Sequence, residues 1–334
     1  MRKLQCICAA AIFVVSVQCG SASAPVMGDA PEGSAPEIIS PPGRIAFVTE
    51  VSSFNGALYI VNSDGSGFRK LAGGAAYYTR PRWSPDRRRI AFSRFADGSP
   101  SEILVIDVDG KGGTVRLAEG ADPAWSPDGT KIVFSWNGGS PPGSAWGIYV
   151  MNADGSGIRR LTSPNDFGQC SVGASADDFS PDWSPDGKRI LFERDFNTDD
   201  NNGFDCGLDG YGYVPNVYVM NADGTELRRL RPGGLWDSTD RQPAWSPDGQ
   251  FVALSKWSGG VVVIRADGSS GQQQVVSNYP EFGPAWSADG KNLLFLAVNP
   301  PTNFLGIWDF TSGSAHFIGL PATLGLILDP AWSR

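Results

Sequence analysis

Residues 183–192 read Trp-Ser-Pro-Asp-Gly-Lys-Arg-Ile-Leu-Phe, and residues 217–224 read Val-Tyr-Val-Met-Asn-Ala-Asp-Gly. Each holds one short apolar run beside a turn signal. Pro presets its own φ and Gly accepts φ > 0, so Ser184-Pro185-Asp186-Gly187 marks a tight turn between two strands. Asp223-Gly224 marks a second tight turn after the next strand.

Both strings recur along the chain. Trp-Ser-Pro-Asp begins at Trp83, Trp125, Trp183 and Trp245, Trp-Ser-Ala-Asp at Trp286, and a truncated Trp-Ser at Trp332. The spacings are 42, 58, 62, 41 and 46. A run such as Arg89-Ile-Ala-Phe92 or Lys131-Ile-Val-Phe134 follows each full copy after six residues, and Arg44-Ile-Ala-Phe47 stands alone at the start. Arg159-Arg-Leu-Thr162 and Arg228-Arg-Leu230 follow the Asp-Gly turns. Four short strands every 40–60 residues predict propeller blades, with strands A (Pro-x-Trp-Ser), B (Arg-Ile-Ala-Phe), C (Ile-Tyr-Val-Met) and D (Arg-Arg-Leu-Thr). The chain enters on strand B and leaves on strand A. We therefore expect an all-β, six-bladed propeller over residues 44–334, closed by its C-terminal innermost strand against the first three strands.

Composition agrees with this. Gly 42 and Pro 25 oppose long helices, while 41% hydrophobic content supplies a core. With one histidine, His316, the chain offers no multi-histidine metal site, and a Ser-His-Asp triad has a single candidate base. There is no Walker A loop, Rossmann fingerprint or Gly-x-Ser-x-Gly elbow. A net charge of −8 disfavours nucleic-acid partners.

The first residues read as an address. Arg2 and Lys3 precede an apolar run from Cys8 to Val17, too short to span a bilayer. We take residues 1–19 as a secretory signal and 20–43, rich in Pro, Ser and Gly, as a tether. Cys19 stands where a lipoprotein signal carries its acylated cysteine; the alternative cuts follow Gly20-Ser21-Ala22 or Ala22-Ser23-Ala24. The expected location is periplasmic, or lipid-anchored at the outer membrane or cell surface.

The Trp-Ser-Pro-Asp-Gly, Ile-Ala-Phe and Tyr-Val-Met-Asn-Ala-Asp-Gly strings resemble the WD40-like (PD40) repeats of the TolB propeller family, across roughly residues 44–334. That resemblance implies a six-bladed propeller and a periplasmic, protein-binding role. Similar repeats occur in the propellers of prolyl-oligopeptidase-type enzymes and oligogalacturonate lyases.

Strand order places A–B and C–D turns on one face and B–C and D–A loops on the other. The insertions 137–146, 163–179, 195–214, 232–241 and a shorter 298–303 all fall on the second face. Loops on a rigid scaffold commonly carry binding. Cys170 and Cys206 lie in two of these insertions from adjacent blades, an expected disulfide in an oxidising compartment. The residue before each strand-A proline should ring the channel mouth: Arg80, Asp122, Ser180, Gln242, Gly283 and Asp329. Trp146, Tyr211, Tyr213 and Trp236 add aromatics to the same face. Asp195-x-Asn197-x-Asp199-x-Asn201 alternates oxygen ligands as a Ca²⁺ loop does, though Asp200 and Cys206 depart from the EF-hand pattern. The repeated aspartates (Asp86, Asp128, Asp186, Asp248, Asp289) are read as turn residues, since catalysis needs one site and not five.

The expected function is a monomeric, non-enzymatic propeller binding a protein or peptide partner through its looped face. A glycan- or cell-wall-binding propeller is the first alternative, and a polysaccharide lyase or hydrolase the second. No cofactor is expected beyond Ca²⁺. Mass spectrometry of the mature N-terminus separates the two processing routes: acylated Cys19 supports the anchor, and a free Ser23 amine removes it.

Overall fold

The computed structural model describes residues 43–52, 55–139, 145–163, 175–197, 214–230, 240–256, 260–269, 272–276, 281–299, 302–321 and 324–333. Cys19, Cys170, Asp199, Asn201, Cys206, Tyr211, Tyr213 and Trp236 lie outside the described residues.

The described residues form six four-stranded antiparallel sheets. Blade I joins β24 (Leu326–Trp332) to β1 (Arg44–Ser52), β2 (Asn55–Asn62) and β3 (Arg69–Gly74). Blade II holds β4 (Tyr77–Trp83), β5 (Arg89–Phe95), β6 (Glu102–Asp107) and β7 (Thr114–Glu119). Blade III holds β8 (Ala121–Trp125), β9 (Lys131–Trp136), β10 (Gly147–Asn152) and the stub β11 (Arg159–Arg160). Blade IV holds β12 (Ser175–Trp183), β13 (Arg189–Asn197), β14 (Val214–Asn221) and the stub β15 (Arg228–Arg229). Blade V holds β16 (Asp240–Trp245), β17 (Phe251–Lys256), β18 (Val261–Arg265) and β19 (Gln272–Val276). Blade VI holds β20 (Glu281–Trp286), β21 (Asn292–Asn299), β22 (Thr302–Asp309) and β23 (Ser314–Phe317). The A strands touch one another in sequence around the ring, β24 against β4 and β20 included, so they are innermost. The fold is the expected six-bladed propeller.

The seam repeats an ordinary A–B junction. In blade II, Ser84 N donates to Arg89 O at 2.9 Å and Arg89 N donates to Ser84 Oγ at 2.9 Å. At the seam, Ser333 N donates to Arg44 O at 2.8 Å and Arg44 N to Ser333 Oγ at 2.9 Å. Two ends 289 residues apart thus recreate a contact otherwise made within five. Closure leaves no open sheet edge at the seam.

The core lies between blades. Each apolar cluster draws on two neighbours: Phe92 and Trp83 of blade II pack with Leu58 of blade I, and Phe134 with Ile103 of blade II. The strand-B phenylalanines Phe47, Phe92, Phe134, Phe192 and Phe295 are all buried. The strand-A tryptophans fill the junctions between blades, and several carry the guanidinium that opens strand B of the preceding blade. Arg44 lies over Trp83 at 4.8 Å, Arg89 over Trp125 at 4.7 Å and Arg189 over Trp245 at 4.7 Å.

The repeated aspartates are turn residues, as expected. Asp86, Asp128 and Asp186 each accept a serine hydroxyl two residues back and a backbone N–H two residues on. Those hydrogen bonds hold their carboxyls below the ordinary range. The basic pairs of strand D do more than charge an edge. Arg159 Nη1 donates to Asp223 O of the next blade at 3.1 Å, and Arg69 donates to Val108 O of its own next blade. Strands β21 and β22 run into the 298–303 insertion, with Val298 paired to Asn303 and Asn299 to Thr302.

Among the described residues, seven non-glycine residues have positive φ. Two of them occupy turn positions that other repeats fill with glycine. Arg87 (φ 58°) stands where Gly129 and Gly187 stand, and Glu226 (φ 54°) where Gly67 and Gly157 stand. Left-handed backbone costs an ordinary side chain about 1 kcal/mol. Arg87→Gly and Glu226→Gly should each stabilise the fold by about that amount in denaturant unfolding. Gly224 (φ +94°) packs against blade III, and an added Cβ would lie 2.8 Å from Leu161 O. Gly224→Ala should lower the melting temperature, while Gly319→Ala, where an added Cβ meets nothing within 4 Å, should leave it unchanged.

Candidate functional site: a polar belt on the propeller axis

The other five positive-φ residues are Arg80 (52°), Asp122 (53°), Ser180 (53°), Gln242 (52°) and Asp329 (44°). They are the pre-proline residues singled out in the sequence, and Gly283 (66°) completes the set. Each sits at a β-bulge on the innermost strand. In blade II, Thr79 faces Ser93 but Arg82 faces Ala91, so strand A carries one extra residue. The same slip occurs between Ala121 and Ala124, Phe179 and Asp182, Arg241 and Ala244, and Phe282 and Ala285. A left-handed residue in a bulge is ordinarily glycine. Blade VI uses glycine; the other five do not.

The bulge leaves a backbone N–H to be satisfied, and the preceding blade satisfies it. Arg80 N donates to Asp329 Oδ2 at 3.2 Å, Asp122 N to Ser93 Oγ at 2.9 Å and Ser180 N to Asp122 Oδ2 at 3.2 Å. Gln242 N donates to Glu193 Oε2 at 3.2 Å, and Gly283 N to Gln242 Oε1 at 2.7 Å. The belt residues therefore cross-link neighbouring inner strands. They lie within the inner strands rather than beyond their ends: Arg80 is the fourth residue of β4 and Ser180 the sixth of β12.

Arg80 spans the belt. Its Nη2 donates to Ser180 Oγ of blade IV at 2.9 Å, and its Nε lies 3.6 Å from Asp122 Oδ1 and 3.9 Å from Asp329 Oδ1. Burial alone would lower the Arg80 pKa. The carboxylates of Asp329, Asp122 and Glu193 outweigh it and hold the guanidinium above its ordinary value.

Sequence reading missed the acidic half of the site. Strand β13 runs on through Asn197, so Asp195 is a strand residue paired with Asp177 and Pro215, not the first position of a loop. Glu193 and Asp195 share one face of β13, as alternate residues do. Both are buried. Arg241 faces the pair, its Nε 3.5 Å from Glu193 Oε1 and its Nη2 3.7 Å from Asp195 Oδ2. Burial raises the Glu193 pKa against the pull of Arg241 and Arg80. Asp195 is pushed up to about 8 by burial first and then by the Glu193 charge. Alternation of Glu193, Arg194 and Asp195 in a strand was the available signal, but the strand's length was not legible. Among the described residues no group of three or more His, Cys, Asp or Glu is placed to hold a metal ion.

Arg194 points to the opposite side of β13. It forms a buried bidentate pair with Asp178, Nε to Oδ1 at 2.6 Å and Nη2 to Oδ2 at 2.9 Å. Trp146 is partly buried rather than free on the looped face. Its N donates to Asp177 Oδ1 at 2.8 Å, and its ring packs on Phe179 at 5.7 Å, tying blade III to blade IV. His316 lies on outer strand β23, its pKa lowered by partial burial.

These features define a closed six-bladed propeller with a polar belt on its axis. The chain belongs to the TolB β-propeller domain family (PD40), which matches residues 42–334. A Tol-Pal system protein TolB from Syntrophus aciditrophicus (strain SB) is 39% identical over 72 residues, which is 21% of this chain and 16% of that protein. The TolB structure from Acinetobacter baumannii superposes with a TM-score of 0.66 at 20% identity, over 87% of this chain and 66% of that one. A chain of a nidogen/laminin complex superposes with a TM-score of 0.61 at 10% identity, over 87% and 98% respectively.

Asp195 gives the belt a pH signature. Its carboxyl ordinarily loses its proton near 3.8 and here keeps it to about 8. Between those values the folded chain binds a proton that the unfolded chain does not, so stability falls as pH rises through that window. Asp195→Asn should remove the slope. The variant should gain thermal stability over the parent at pH 9 and show little difference at pH 3.5, below the ordinary carboxylate value. A difference independent of pH would mean that Asp195 is ionised in the fold.

Proposed function

We propose that this chain is an exported, non-enzymatic propeller that binds a protein or peptide partner of the cell envelope at the polar belt and its adjoining loops. The observation that carries this is a contrast within the repeat. Scaffold positions are filled alike from blade to blade: Trp on strand A, Phe on most B strands, Asp in most A–B turns. The belt has one backbone geometry in every blade, one that favours glycine, yet it carries Arg, Asp, Ser, Gln, Gly and Asp. Strained backbone retained under varied polar side chains is the pattern of a site rather than a scaffold. Membership of the TolB propeller family supports an envelope setting and a partner that is protein. The signal-like residues 1–19 support export.

The repeated carboxylates do not favour an enzyme. They are engaged by serine hydroxyls and backbone amides in every turn described above. The Glu193–Asp195 pair is held against Arg241, and Arg80 is held by Asp122, Asp329 and Ser180.

Affinity capture from a cell-envelope fraction tests this, followed by rebinding of the captured protein after purification. Arg80→Gln, checked for folding by circular dichroism, should weaken the purified interaction at least tenfold. Equal binding by the parent and Arg80→Gln chains would overturn the belt as the docking site. A parent chain that enriches no envelope protein over bare resin would overturn the partner-binding reading itself.

A further inference from the structure

Among the described residues four large apolar side chains are exposed: Val115, Ile158, Phe304 and Phe317. Phe304 and Phe317 form a pair, edge to face, with ring centroids 6.1 Å apart. Phe317 also meets the buried Phe295 ring edge-on at 6.4 Å. The pair lies at the rim of blade VI, on β22 and the outermost strand β23.

It departs from the repeat. The strand-D position of Phe317 is basic in four other blades, as Lys70, Arg116, Arg160 and Arg229. Those residues pair with Tyr59, Leu104, Tyr149 and Tyr218 of strand C, where blade VI has Gly306. An added Cβ at Gly306 would collide with the Phe295 ring. Blade VI thus gives up the strand-C side chain and places an aromatic ring farther out, 55% exposed.

Size decides what can cover this patch. Two half-exposed phenylalanine side chains offer about 200 Å² of apolar surface. A stable interface with a separate protein or a second copy takes about 800 Å² from each partner. A segment already attached to the chain needs far less, because attachment raises its local concentration into the millimolar range.

The chain supplies such a segment. Residues 25–42 hold Val26, Met27, Ile38, Ile39 and five prolines. Aromatic rings commonly receive proline-rich chain, which loses little entropy on docking. The point of attachment is close by. Gly43 O accepts from Ser63 N at 3.0 Å. Two residues on, an added Cβ at Gly65 would lie 3.7 Å from Ile318 Cγ2, and Ile318 follows Phe317. At full extension Ile38 can reach about 17 Å from Gly43, and Pro31 about 40 Å.

We propose that residues 25–42 fold back onto the rim of blade VI and cover Phe304 and Phe317. The contact sets where the preceding chain leaves the propeller. It stands whether or not the belt binds a partner.

Nuclear magnetic resonance of the chain from residue 20 onward, labelled at Val, Ile and Met methyls, tests this. One or more of the Val26, Met27, Ile38 and Ile39 methyls should lie upfield of the random-coil position and show Overhauser contacts to the Phe304 and Phe317 rings. Phe317→Arg, the residue blades II, III and IV carry there, should return those methyls to random-coil positions. Should that variant fail to fold, the combined Val26→Ser, Met27→Ser, Ile38→Ser and Ile39→Ser chain changes only the segment and should shift both ring resonances. Random-coil methyls in the parent would overturn the proposal. So would shifts untouched by Phe317→Arg in a folded chain, ring resonances unmoved by the four serines, or shifts lost on tenfold dilution, which mark a second copy as the occupant.

Discussion

Every blade boundary in this molecule is a wedge of one indole between two sheets. Six twisted sheets placed around an axis crowd together at the centre and splay apart at the rim. The strand-A tryptophan stands near the narrow end, and at three boundaries the arginine that opens strand B of the preceding blade closes over it. Trp83 and Trp286 also donate their Nε1 protons to carbonyls of the preceding inner strand, Ala331 and Ala244, at 3.2 and 3.1 Å. Farther out the Asp-Gly turns take over. Gly155 and Gly224 sit under the Leu117 and Leu161 carbonyls of the preceding blade, too close for a Cβ. Apolar burial supplies the free energy, and these two contacts set the pitch at which it is collected.

The same crowding explains the belt. Inner strands are closest to one another, and a flat strand would leave its inward N–H groups without partners. In blades II to VI the bulge turns one amide toward the preceding blade, where a side-chain oxygen accepts it. This device needs left-handed backbone, which glycine would give freely. Five blades instead place a polar side chain there. In Asp122, Asp329 and Gln242 that side chain itself caps the next amide round. Part of the strain is therefore repaid locally. Arg80 is different: its own group caps no belt amide and instead ties Ser180, Asp122 and Asp329 together. The lone belt cation is thus the residue least explained by the scaffold.

What was legible in the sequence follows the length scale of each signal. Strands, turns, the A-strand seam and the belt positions are written in local strings repeated in register, so self-comparison finds them. The turn role of the repeated aspartates was equally visible, because five copies cannot all be one catalytic site. Asp195 was misplaced because nothing local says how far β13 runs before its loop begins. Its pairing with Asp177 and Pro215 is a tertiary fact. The acidic pair with Arg241 joins strands of two blades and leaves no short-range trace. The inter-blade reach of Arg69 and Arg159 was likewise hidden, since an outer-strand arginine looks the same whether it meets water or the next blade. Trp146, placed on the looped face, is tied to Phe179 and Asp177 of the adjoining blade.

A repeat protein makes departures from its own pattern informative without any relative to compare. Where Arg87 and Glu226 replace glycine, backbone geometry persists and only strain is added. Where Gly283 replaces a polar residue, strain is relieved and one side chain is lost from the belt. Where Lys131 replaces arginine, the ammonium turns to Asn152 and packing compensates: Trp183 stays buried in the apolar cluster between blades III and IV. All three kinds of departure are absorbed by the scaffold that contains them.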